Sequence, residues 1–65
     1  MTGRDLAHLL LDLDMSQTAL ARDFGVARMT VRRWIKGIHP VPPRVAAWAA
    51  LERARLQSGR DSMAE

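Results

Sequence analysis

Arg28, Arg32, Arg33 and Lys36 fall within one short stretch, with Met29 among them and no acidic residue between. On a helical wheel at about 100° per residue, with Arg28 at zero, Arg32 lies at about 40°, Lys36 at about 80°, Met29 at about 100° and Arg33 at about 140°. Trp34, Val31 and Ile35 lie at about 240°, 300° and 340°. One face is therefore cationic with a single thioether, and the other is large and apolar. A solvated helix face normally mixes both signs, and like charges this close repel unless a polyanion binds them. A guanidinium can donate two hydrogen bonds to guanine O6 and N7, and an apolar side chain can pack on a thymine methyl. A helix also fits the major groove of B-DNA, about 12 Å wide. The chemistry open to these residues is recognition of double-stranded DNA.

Charge along the chain agrees. Residues 1–21 hold Arg4 against Asp5, Asp12 and Asp14, a net −2. Residues 22–44 hold Arg22, Arg28, Arg32, Arg33, Lys36 and Arg44 against Asp23, a net +5. Residues 45–65 hold three charges of each sign. A cationic block between neutral or acidic ends suggests a localised polyanion site.

Other chemistries find little support. With 65 residues the chain is one small domain, too small to frame a large substrate cleft. Its 48% hydrophobic and 26% charged residues are those of a globular protein. It has no cysteine, hence no disulfide or thiolate metal site. His8 and Asp12 are four apart, but no further ligands converge on them, so no metal or other cofactor is expected. There is no Ser–His–Asp series, Gly-rich phosphate loop or paired-acid cleft, so no enzyme and no small-molecule ligand are expected. The longest apolar run, Val45 to Leu51, is far short of a membrane span. No signal peptide is evident, and the expected location is the cytoplasm.

Four helices and no strand can position the cationic face. The first is expected over about Thr2–Leu13, where Leu6, Leu9, Leu10 and Leu13 share a face and Thr2 with Asp5 forms a start signal. The second spans about Gln17–Phe24, with Ser16 as N-cap and Gly25 as the turn. The third spans about Arg28–Lys36 and is closed by Gly37. Pro40, Pro42 and Pro43 separate it from the fourth, about Pro43–Gln57, which Ser58 and Gly59 are expected to end. The domain is thus residues 1–57, and residues 58–65 form a short polar tail, expected to be flexible.

From Gln17 to Lys36 the chain resembles the helix-turn-helix of the Cro/repressor-like (Xre) family. The pattern runs Leu20, small Ala21, Phe24, turn Gly25, Val26, then Val31 and Trp34, then Gly37. Ala21 must be small where two helices cross, and Leu20, Phe24, Val26, Val31 and Trp34 bury the inner faces. The resemblance covers about Thr2–Gln57. It departs in two places: Ala27 stands where the family usually has a Ser or Thr cap, and the family's common fifth helix is not expected within these 65 residues. The implied fold is an all-α, four-helix, lambda-repressor-like DNA-binding domain. The resemblance implies base-reading roles for Arg28, Met29 and Arg33, with Arg32 on the same face reading base or phosphate. It implies DNA-backbone contacts from Gln17, whose helix start would also face phosphate, and from Lys36, His39 and Arg44. Trp34 is expected in the core. Trp48 suits either the core or a dimer interface.

One such helix reads only a few base pairs, and each mismatch is worth about 1–3 kcal/mol. A symmetric homodimer on a palindromic operator is the usual remedy. The fourth helix carries more apolar surface than a thin core needs, so Trp48, Leu51 and Leu56 are its expected dimer contacts. The function expected is that of a dimeric transcriptional repressor of phage or bacterial type. Two alternatives are an antitoxin-like DNA-binding protein with a protein partner, and an accessory module that binds nucleic acid by charge.

Overall fold

In a computed structural model the chain folds as α1 (Gly3–Asp12), α2 (Gln17–Phe24), α3 (Arg28–Lys36) and α4 (Pro43–Ala64), with no strand among the described residues. The structure describes the backbone of residues 1–64 and the side chains of residues 1–58. The all-α fold is as the sequence predicts.

Local signals set the helix ends. At the start of α1, the Asp5 N–H donates to Thr2 Oγ1 at 3.1 Å and the Thr2 N–H donates to Asp5 Oδ2 at 3.2 Å. This reciprocal cap satisfies two orphan donors. The Thr2 backbone donor, then its hydroxyl, holds the Asp5 carboxyl below its ordinary range. The cap's contribution is therefore complete above that range and is lost as pH falls through the lowered folded value. Ser16 Oγ accepts the Ala19 N–H at 3.0 Å and caps α2. Gly25 ends α2 in the left-handed region, φ 66° and ψ 34°, which glycine adopts without steric cost. The Val26 N–H then donates back to the Ala21 carbonyl at 2.9 Å. No side chain caps α3, because Ala27 has no acceptor to offer. Gly37, at φ 79°, closes it.

The helix α4 corrects the expected boundary. It runs through Ser58 and Gly59 to Ala64 instead of ending at Gln57. A single internal glycine costs a helix only about 1 kcal/mol relative to alanine, and no proline follows to enforce a stop. The expected flexibility of the tail falls, beyond Ser58, on residues 59–65, whose side chains lie outside the described ones.

The core gathers Leu6 and Leu10 from α1, Leu20 and Ala21 from α2, Val31 and Trp34 from α3 and Val45 from α4. Leu9 and Ala49 are also buried. Leu13, Phe24 and Val26, expected inside, are half-buried. Leu13 caps the end of α1, Val26 sits in the turn, and Phe24 closes the edge of the core against Trp48.

Gly3 fixes how α1 meets α3. A Cβ built there would lie closer to the carbonyl oxygens of Trp34 and Ile35 than real Cβ atoms come, and 2.7 Å from the Ile35 carbonyl carbon. The first turn of α1 therefore rests directly on the last-turn backbone of α3.

Candidate nucleic-acid interface

Burial of one side of α3 dictates what the other side presents. Val31 and Trp34 are buried and Ile35 is half-buried, so Arg28, Met29, Arg32, Arg33 and Lys36 all face solvent. Trp34 belongs to the core, as expected. Ala21 and Leu20 of α2 share one buried cluster with Val31 and Trp34. Together with the left-handed Gly25, this holds α2 and α3 as a helix-turn-helix, with the cationic face outward.

No acidic side chain among the described residues neutralises that face. Among the described residues, Arg53 pairs with Asp12 and Arg55 with Glu52, and no ion pair involves a cation of α3. Both pairs are at least partly exposed, so they add little stability. The open N-terminus of α3 adds to the positive potential, since its first-turn N–H groups meet no side-chain acceptor.

The residues expected to meet DNA backbone are all exposed but lie on different elements. Gln17 opens α2, Lys36 ends α3, His39 lies in the loop after it, and Arg44 is in the first turn of α4. At the start of α2, Ser16 takes one orphan N–H, that of Ala19. Arg44 has a contact the sequence reading missed. Its guanidinium lies 5.9 Å from the centroid of Phe24. Phe24 in turn meets Trp48 edge-to-face, with centroids 5.6 Å apart and rings at 82°. This stack ties α4 to the end of α2. The residues are far apart in sequence, and no periodicity links them. Gly3 was missed too, because a glycine beside a cap carries no sequence sign of a close backbone approach.

Of the expected dimer contacts, Leu51 is 67% exposed, whereas Trp48 and Leu56 are half-buried. No group of metal-capable side chains gathers among the described residues, and no helix there is long and apolar enough to cross a membrane.

A family model described as Helix-turn-helix matches residues 6–54, about three quarters of the chain. No curated protein and no solved structure matches it.

Proposed function

The chain belongs to the Cro/repressor-like (Xre) helix-turn-helix family of DNA-binding regulators, and from that premise we propose a sequence-specific repressor that binds a palindromic operator as a homodimer. One observation carries the reading: four cations of α3 share an exposed face with no acid in ion-pair reach among the described residues. Arg28, Arg33 and Met29 read bases, Arg32 reads a base or a phosphate, and Gln17, Lys36, His39 and Arg44 contact the backbone. Residues 1–57 carry this binding function. The test is a gel-shift comparison of a duplex enriched from a random library with its scrambled counterpart. The expected result is preference for the enriched duplex. Equal binding to both, abolished by salt, would instead indicate a module that binds by charge alone.

Lys36 gives a separate expectation. Its flexible ammonium at the end of α3 suits a phosphate, which carries no sequence information. Lys36→Ala should weaken enriched and scrambled duplexes alike and reduce the slope of log K against log salt by about one. An unchanged slope removes Lys36 from the interface.

The dimer is proposed through α4. Ala47, Ala50, Leu51 and Ala54 are all exposed and share one charge-free side of the helix. With Ala47 at zero on the wheel, Leu51 lies at about 40°, at the edge of this surface towards Arg55 at about 80° and Trp48 at about 100°. Leu56, at about 180°, lies on the opposite side of the helix and is left outside the proposed interface. The two recognition helices would then sit about 34 Å apart, one turn of DNA. Leu51→Glu should weaken self-association at least about tenfold in sedimentation, with helix content unchanged. A Leu51→Glu protein that stays dimeric at micromolar concentration moves the interface elsewhere.

A further inference from the structure

Every apolar residue of α3 except one is turned at least partly inward. The exception is Met29, which is 53% exposed and stands among Arg28, Arg32 and Arg33. It is the second residue of the helix. The N-terminal residues of a groove-docked helix come closest to the base edges. The arginines supply donors for the polar groups of those edges. A thioether is at most a weak acceptor and cannot replace them. The base-edge group in the major groove that favours an apolar partner is the C5-methyl of a pyrimidine. Methionine's three rotatable bonds and polarizable sulfur let it settle against such a methyl without a preformed pocket. The C5-methyl of 5-methylcytosine projects into the same groove from the same ring position as that of thymine.

Resting on the base-reading role proposed above, we infer that Met29 is a reader of pyrimidine C5-methyl groups, and that at the base pair it faces this protein distinguishes 5-methylcytosine from cytosine as it distinguishes thymine from uracil. Methylation of that cytosine strengthens binding. The arginines around Met29 set which neighbouring bases are required, and Met29 adds the sensitivity to the mark.

The experiment scans an enriched duplex, replacing each thymine with deoxyuridine and each pyrimidine position in turn with cytosine or 5-methylcytosine. At one position per half-site, loss of the methyl should weaken binding about fourfold, the value of one buried carbon. At that same position 5-methylcytosine should bind about fourfold better than cytosine. Met29→Gln should erase both differences, and Met29→Leu should keep them. Since Met29 is exposed, neither change disturbs the core. A wild-type protein indifferent to the methyl at every position overturns the inference, as does a Met29→Gln protein that retains the preference. Sequence-selective binding without a methyl effect overturns the role of Met29 alone. Loss of all sequence selectivity overturns the base-reading proposal, and this inference with it.

Discussion

Replacing Arg28 and Arg33 together by alanine should abolish selective binding while leaving the fold intact. Both side chains are exposed on α3, and neither packs in the core. A bidentate arginine–guanine contact is worth about 1–3 kcal/mol of discrimination. The two residues are five apart, a rise of about 7.5 Å, so they meet different base pairs and their effects should add. Each single change should relax preference at one operator position and weaken the enriched duplex by about five- to over a hundredfold. The double change should bring enriched and scrambled duplexes to similar, weak affinity. Dissociation constants on single-base operator variants check this. If Arg28→Ala lowers binding equally on every variant, Arg28 is a phosphate contact.

Gly3→Ala should be strongly destabilising, against the usual trend. At an open helix position this change gains up to about 1 kcal/mol of helix propensity. Here the added carbon meets the backbone carbonyls of Trp34 and Ile35, which cannot rotate away. Relief requires α1 to lift from α3 or its first turn to fray. Lifting loosens the packing around fully buried Leu6. Fraying breaks the Thr2–Asp5 cap, and a lost cap alone costs about 1 kcal/mol. We expect a loss of about 2–3 kcal/mol, a large share of what so small a core supplies. In thermal unfolding followed by circular dichroism that is a fall of about 10–20 °C in Tm. A Gly3→Ala protein melting at or above the wild-type temperature would show that α1 does not rest on α3 in this way. The contact matters for function because it props the end of α3 opposite Arg28 and Met29.

The helix-turn-helix was legible because its signals are local. Gly25 and Gly37 mark turns by their own conformational freedom, Ser16 and Thr2 mark caps, and α3 separates charge from apolar bulk within three turns. That separation alone anticipated that Arg28, Arg32, Arg33 and Lys36 would be exposed and, among the described residues, without an ion pair. Tertiary features were not legible. The stack of Arg44, Phe24 and Trp48 joins α2 to α4 across the chain, and spacing cannot reveal it. Gly3 looks like any helix-start glycine until α3 lies beneath it. The end of α4 was misplaced because Ser58 and Gly59 read as a stop, although neither residue forbids a helix.

The most direct test of the proposed recognition is to titrate the isotope-labelled chain with an enriched duplex and follow each backbone amide by nuclear magnetic resonance. If α3 enters the groove with α2 braced on the backbone, the largest shift changes fall on residues 28–36 and at Gln17. The α4 face around Ala50 and Leu51 should then change little. Changes centred on that α4 face, with residues 28–36 unmoved, would contradict recognition by α3.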